Sequence, residues 1–90
     1  DRVRALVDGV RLHRADIDAL IGASAEHWSI ERMPVVDRNV LRLAAFELLH
    51  TANDPRAVIG DAVILVKLLS TEESGRFVNG ILGRIHREHR

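Results

Sequence analysis

Apolar residues recur every three to four positions along almost the whole chain, which is the period of an α-helix. The pattern predicts four helices, near residues 2–26, 35–50, 56–69 and 71–88. The first is predicted as one long helix, although a bend near residues 13–15 would divide it into two. The last is predicted to start from a capping box, in which Ser70 and Glu73 each satisfy a backbone N–H group of the other. The expected fold is therefore all-α, a small helical bundle.

The predicted helix at 35–50 is apolar on almost every side, so we expect it to be the central and most buried element. Its narrow polar line carries Arg38 and Arg42 four residues apart, where two like charges repel each other on a helix. A carboxylate of this chain, from Asp37 or from a neighbouring segment, would relieve the repulsion. The alternative is an acidic group of a partner protein, and the residues leave both open.

The predicted last helix has two contrasting faces. One gathers the apolar residues that we expect to face the core, namely Phe77, Val78, Ile81, Leu82 and Ile85. The other carries Arg76, Asn79, Gly80, Gly83 and Arg87. Each interior glycine costs about 1 kcal/mol relative to alanine, so two on one face need a reason. Either another helix packs closely there, or a phosphate backbone or partner chain approaches between Arg76 and Arg87, or the glycines are merely tolerated.

Length and charge narrow the range of functions. The 90 residues are enough for one small domain. Asp1 is followed at once by an apolar helical pattern without an initiator methionine, which indicates a fragment of a longer protein. The 13 Lys and Arg residues balance 13 Asp and Glu residues, and a strong stand-alone nucleic-acid binder normally has a basic excess. All but one of the basic residues are arginine, which suits bidentate contacts to phosphate and carboxylate groups.

Motifs of catalysis are absent from the sequence. It contains no phosphate-binding loop and no nucleophile elbow, so we expect neither an enzyme nor a cofactor. His86 and His89 lie three residues apart, but no further ligand follows at a suitable spacing, and no metal site is predicted. The lack of cysteine fits a cytoplasmic protein. No apolar run approaches the length of about 18 residues that a membrane span needs.

Two segments closely resemble the NusB family of bacterial transcription antitermination factors. They are WSIERMPVVDRNVLRLAAFELLH at residues 28–50 and STEESGRFVNGILGRI at residues 70–85, and the helix between them matches a third segment of the family. The resemblance implies the NusB-like RNA-binding fold, with residues 1–90 as a single domain that lacks the N-terminal helices of the family. It further implies a factor that pairs with NusE, a small-subunit ribosomal protein. The pair recognises the boxA element of nascent ribosomal RNA and acts in the antitermination complex of RNA polymerase.

The resemblance also assigns roles to particular residues. The RNA-proximal position at the start of the last helix corresponds to Glu73, and the basic and aromatic pair corresponds to Arg76 and Phe77. Phe77 is either a base-stacking residue or a core residue. The candidate RNA face is completed by Asn79, Gly80 and Arg87. The partner-facing acidic position corresponds to Asp37, and the other partner candidates are Glu31, Arg38 and Arg42.

Two departures from the family pattern change the expectations. The family's arginine-rich N-terminal helix, a main RNA contact, has no counterpart here, so we do not expect strong RNA binding by this chain alone. Where the family usually has Asn, Glu and a small polar residue, this chain has Gly60, Ile64 and Leu68, which form an apolar line that predicts a homodimer. Two alternatives remain. One is the NusB-like domain of ribosomal RNA cytosine methyltransferases, which shares the VNG-containing last helix, and the other is a structural dimerisation module.

Overall fold

The computed structural model describes residues 1–25 and 28–89 of the chain. Its elements are α1 (Arg2–Leu12), α2 (Arg14–Ser24), a single 3-10 turn (Ile30–Arg32), α3 (Val35–His50), α4 (Pro55–Leu69) and α5 (Glu72–Glu88). The described residues contain no β-strand, and the all-α prediction is confirmed. The last three helices agree with the predicted ranges to within one residue at each end.

The centre of the bundle is α3, as predicted. It contacts α1, α2, α4 and α5, and its Leu41 and Ala45 are fully buried. The other helices contribute the rest of the core, which includes Ile17, Ile21, Val58, Ala62, Val66, Val78, Ile81, Leu82 and Ile85. The predicted apolar face of α5 is therefore confirmed, with Phe77 packed against its edge.

The predicted single helix over residues 2–26 is wrong, because the chain breaks at His13. This residue closes α1 and opens α2, and its imidazole ring stacks on that of His50, with the ring centroids 4.4 Å apart. Helix α1 packs on α3, and α2 packs on both α3 and α5. A single straight helix could not make both sets of contacts. The predicted end of the helix at Glu26 lies outside the described residues.

The predicted capping box of Ser70 and Glu73 is also wrong. Ser70 still belongs to the end of α4, since its N–H donates to the carbonyl oxygen of Val66 at 2.7 Å. Thr71 is the N-cap instead, and its Oγ1 accepts from the backbone N–H of Ser74 at 2.9 Å. The extended backbone of Thr71 is the conformation that an N-cap residue requires.

Two glycines in the N-terminal helices provide a matched test of how α1 packs. A Cβ atom on Gly9 would overlap Cζ of Phe46, whereas nothing lies within 4 Å of the same position on Gly22. We expect Gly9→Ala to lower the free energy of unfolding by about 1–2 kcal/mol, because the ring must move. Gly22→Ala should raise it by about 0.5–1 kcal/mol, because alanine forms helices better than glycine. Urea unfolding measures both, and a stabilised Gly9→Ala variant would show that α1 does not pack on α3 in this way.

Candidate functional site

The starts of α3 and α5 are joined by a buried network of hydroxyl groups around one carboxylate. Ser74 Oγ donates to Oδ2 of Asp37 at 2.6 Å, and the two residues are only 6% and 2% exposed. A serine hydroxyl carries a single proton, so Thr71 and Ser70 act as donors to Ser74 Oγ, at 3.0 and 3.1 Å. This network fixes the first turn of α5, and with it the side chains that follow.

Asp37 does not lie where a partner-facing acid was expected. Its carboxylate is turned inward towards Ser74, and its second oxygen, Oδ1, is buried without a hydrogen-bond partner in the described part of the chain. Asp37 lies in the first turn of α3, where the positive end of the helix dipole favours a negative charge. The burial follows from the contact with α5, which residue spacing alone does not reveal.

A cavity of about 350 Å³ opens above this network. Its lining consists of Trp28, Pro34, Asp37, Ser70, Thr71, Glu73, Ser74 and Phe77. The rings of Trp28 and Phe77 form an aromatic wall, with centroids 5.7 Å apart and planes inclined by 51°. Trp28 is 46% exposed, so one of its surfaces remains available to a ligand. An aromatic wall beside carboxylate and hydroxyl oxygens suits a flat ligand with hydrogen-bond donors at its edge.

The polar face of α5, which comprises Arg76, Asn79, Gly80, Gly83 and Arg87, extends from this cavity. All of these residues except Gly83 are exposed. Nothing in the described chain lies within 4 Å of the Cβ position of Gly80, and that of Gly83 meets the Arg87 side chain at 3.3 Å. These glycines therefore do not accommodate another helix of the described chain. Arg76 and Arg87 are separated by about 17 Å along the helix axis.

Arg42 confirms the interpretation that a carboxylate of this chain offsets the arginine pair. Its Nε and Nη2 atoms donate to the two carboxylate oxygens of Asp18 on α2, at 2.8 and 3.0 Å. This bidentate arrangement is the strongest form of such a contact. The Arg42 side chain is only 12% exposed, and Arg14 also approaches Asp18 at 3.7 Å. The guanidinium of Arg42 would have to leave Asp18 to bind a partner.

The remaining predicted residues lie at separate places. Glu31 is exposed on the 3-10 turn, and Arg38 is partly buried with its Nε lacking a hydrogen-bond partner within the described ranges. Gly60, Ile64 and Leu68 are all exposed, on the side of α4 that faces away from the core. The cavity thus unites Asp37, Glu73 and Phe77 but not the other candidates.

The histidines near the C-terminus line a different cavity, together with residues of the α3–α4 connection. No group of three or more His, Asp or Glu side chains in residues 1–25 and 28–89 could hold a metal ion. Within the same ranges, no helix has the length and apolar character needed to cross a membrane.

The sequence did not single out several of the residues that line the cavity. Trp28, Thr71 and Ser74 all line the cavity, but none was named as a candidate for binding. Trp28 is the one tryptophan of the chain and precedes α3 in a connecting segment, which is a weak signal of a role outside the core. Thr71 and Ser74 are three residues apart, which is the spacing between a threonine N-cap and the residue whose backbone N–H donates to it. This spacing predicts a helix start but not a cavity.

The fold and the site together are those of a small all-α module whose last helix begins beside an aromatic-walled cavity. The model of the NusB family matches residues 1–87. The chain belongs to the NusB family.

Proteins similar to this chain carry the name of that family. "Transcription antitermination protein NusB" of Saccharopolyspora erythraea is 55% identical over 82 residues, which cover 89% of this chain and 55% of the relative. The protein of the same name from Elusimicrobium minutum is 47% identical over 87 residues, which cover 94% of this chain and 62% of the relative. The chain therefore spans little more than half the length of these relatives. Their name is that of a transcription factor and not of an enzyme, in agreement with the prediction.

Solved structures show the same fold. A structure of T. maritima NusB superposes with a TM-score of 0.90 at 46% identity, and covers 96% of this chain and 61% of that one. A chain in the "Crystal Structure of a Plectonemic RNA Supercoil" superposes with a TM-score of 0.88 at 40% identity. The superposition covers 94% of this chain and 62% of that one.

Proposed function

We propose that this chain is part of a transcription antitermination factor that binds the boxA element of nascent ribosomal RNA through the start of α5. In this proposal it acts in the cytoplasm together with NusE, within the antitermination complex of RNA polymerase. The observation that carries the proposal is the aromatic wall of Trp28 and Phe77, together with the exposed Arg76 that precedes Phe77 in α5. The names of the relatives support antitermination over the methyltransferase-domain alternative. The similar chain in a crystal structure of an RNA supports RNA as the ligand.

The chemistry of the cavity fits an unpaired nucleobase. Sequence-specific RNA recognition depends largely on unstacked bases that lie on aromatic rings and form hydrogen bonds along their edges. The half-exposed ring of Trp28 offers such a surface. Thr71 places a hydroxyl on the cavity lining, where it can accept from an amino or imino group of a base. In the proposed complex Arg76 contacts a phosphate next to that base.

The zero net charge of the chain explains why the proposal includes a partner. Neutralisation of phosphates by basic residues supplies much of the affinity for RNA, and this chain has no basic excess. In the proposal NusE contacts the region before and at the start of α3. Glu31 is exposed there and Arg38 partly so, which leaves a carboxylate and a guanidinium for complementary groups. Arg42 and Asp37 support that surface from within, through their contacts to Asp18 and Ser74.

The fluorescence of Trp28 tests the proposal directly, because the chain contains one tryptophan. Titration of the chain and NusE with a boxA oligonucleotide should quench this fluorescence. The same titration with a Trp28→Phe variant and NusE gives the background signal and should show no such quenching. Replacing Trp28 by leucine should weaken RNA binding by about 1–2 kcal/mol through loss of base stacking. The stability of the chain should change little, since the ring is half exposed.

Two controls belong to this experiment. An oligonucleotide of scrambled sequence controls for general electrostatic binding. Val3→Ala removes another exposed apolar side chain, which lies on α1 and does not line the cavity, and should leave RNA affinity unchanged. If boxA RNA binds without any change in Trp28 fluorescence, and Trp28→Leu binds it equally well, the cavity does not hold a base.

A further inference from the structure

The hydroxyl groups that line the cavity at the start of α5 are all oriented by one buried carboxylate. Ser74 Oγ donates its single proton to Oδ2 of Asp37, at 2.6 Å. Its two lone pairs then accept from the hydroxyl groups of Thr71 and Ser70, at 3.0 and 3.1 Å. Because a carboxylate can only accept, the direction of each proton in this network follows from Asp37.

This direction leaves lone pairs, and no hydroxyl protons, for a ligand in the cavity. The protons of Ser70 and Thr71 are both committed to Ser74 Oγ. Thr71 Oγ1 also accepts the backbone N–H of Ser74 at 2.9 Å and keeps one lone pair, whereas Ser70 Oγ keeps two. Since both hydroxyl groups bond to the same oxygen, the two remaining acceptors lie side by side. We call Ser70 Oγ and Thr71 Oγ1 the floor acceptors.

The other side chains of the lining do not change this polarity. Among the described lining residues, the indole N–H of Trp28 is the one remaining side-chain donor, and it belongs to the aromatic wall. Asp37 itself is only 2% exposed, so it acts through Ser74 and does not touch a ligand. A ligand that reaches the floor acceptors must therefore bring its own donors.

We propose that Asp37 is a positioning residue that makes the cavity selective for guanine. The proposal rests on the proposed function, because it concerns the base that enters the cavity. Guanine carries an imino and an amino group next to each other on its Watson–Crick edge, and the two can donate to the two floor acceptors. Uracil carries one imino group between two carbonyl oxygens, whose lone pairs would face those of the floor. Adenine and cytosine each offer one amino group beside an unprotonated ring nitrogen, so they should rank between guanine and uracil.

Pentanucleotides with a guanine, adenine, cytosine or uracil between flanking uridines test the preference on the unaltered chain. Binding to the chain with NusE is followed through the fluorescence of Trp28, up to millimolar RNA. We expect the guanine RNA to bind about tenfold or more tightly than the uracil RNA. Hypoxanthine, which lacks the amino group of guanine, should bind about three- to tenfold more weakly than guanine. These comparisons need no protein variant, so folding does not affect them.

Replacing Asp37 by asparagine tests how the preference arises. An asparagine amide can donate to Ser74 Oγ, which then uses its own proton towards Thr71 or Ser70 and releases one of their hydroxyl protons. The ratio of guanine to uracil affinity should therefore fall to about threefold or less. The ratio compares two RNAs on one protein sample, so a partial loss of folded chain does not change it.

Two further variants complete the test. Ser70→Ala removes one floor acceptor, so it should weaken binding of the guanine RNA and leave the uracil RNA unaffected. Glu47→Gln is the matched control, because it replaces another buried carboxylate of α3 that accepts from Asn53 and does not line the cavity. The ratio should be unchanged in this variant.

The outcomes separate this proposal from the proposed function. Quenching of Trp28 fluorescence with equal affinity for the guanine and uracil RNAs would overturn the guanine preference and leave the proposed function standing. The same holds if boxA RNA quenches the fluorescence but no pentanucleotide does. A guanine preference that persists in Asp37→Asn would show that Asp37 does not set it. If no RNA quenches the fluorescence, boxA included, both proposals are wrong.

Discussion

Replacing Ser74 by alanine is expected to lower the free energy of unfolding by about 2–4 kcal/mol, because a buried carboxylate loses a charge-assisted hydrogen bond. The carboxylate is that of Asp37, which is 2% exposed and receives the Ser74 hydroxyl at 2.6 Å. Its other oxygen has no hydrogen-bond partner among the described residues, so that part of the chain offers no second donor to replace Ser74. Urea unfolding followed by circular dichroism measures the loss.

A double-mutant cycle separates this contact from a general loss of packing. Asp37→Ala combined with Ser74→Ala should cost less than the sum of the two single changes, because the double variant leaves no buried charge unsatisfied. Ser70→Ala is the matched control, since its hydroxyl touches the same Ser74 Oγ but not the carboxylate, and its cost should stay below about 1 kcal/mol. A coupling energy near zero between Asp37 and Ser74 would show that the contact does not stabilise the fold.

Most of the helical bundle could be predicted because the signals are local. The apolar period of α3, α4 and α5 depends only on residues within each helix, and the predicted ranges agree with the structure to within a residue at each end. The buried face of α5 was predicted for the same reason. For Arg38 and Arg42 the sequence left two interpretations open, and the structure agrees with the first of them, a carboxylate of this chain. Asp18, the particular residue, is 24 positions away and was not identified.

The errors arise where tertiary contacts override the local pattern. The period of the first 24 residues is continuous, but His13 stacks on His50 and the chain turns there so that α2 can reach α5. Ser70 and Glu73 have the spacing of a capping box, but the end of α4 already uses Ser70, and Thr71 takes its place.

The candidate site was predicted only in part, because it forms between segments far apart in the sequence. Asp37 and Ser74 are separated by 37 positions, and the cavity exists only when the two helix starts meet. The residues of α5 were predicted through the family resemblance. Trp28 was not, because its contact with Phe77 depends on how the segment before α3 folds back towards α5.

The polar face of α5 leads to the second large expected effect. In the proposed complex with NusE, Arg76→Ala should weaken boxA binding by about 1.5–3 kcal/mol, the worth of one hydrogen bond to a charged group. It should also lower the salt dependence, since one fewer phosphate contact reduces the slope of log K against log salt by about 0.7 for single-stranded RNA. Arg76 is exposed, so the fold should persist. Filter binding at several salt concentrations measures both, and Arg56→Ala, an exposed arginine on α4, is the matched control.

Glu73 should act in the opposite direction. Its carboxylate is exposed at the cavity lining, close to where the proposal places the RNA backbone. Because Thr71 caps α5, Glu73→Gln removes a charge without disturbing the helix start. The amide retains hydrogen-bonding capacity, and the lost repulsion should raise boxA affinity modestly, by roughly the 0.2–1 kcal/mol typical of an exposed charge pair. Opposite changes in boxA affinity for Arg76→Ala and Glu73→Gln would show how the RNA is oriented along α5. If neither variant changes affinity or salt dependence, the start of α5 does not face RNA.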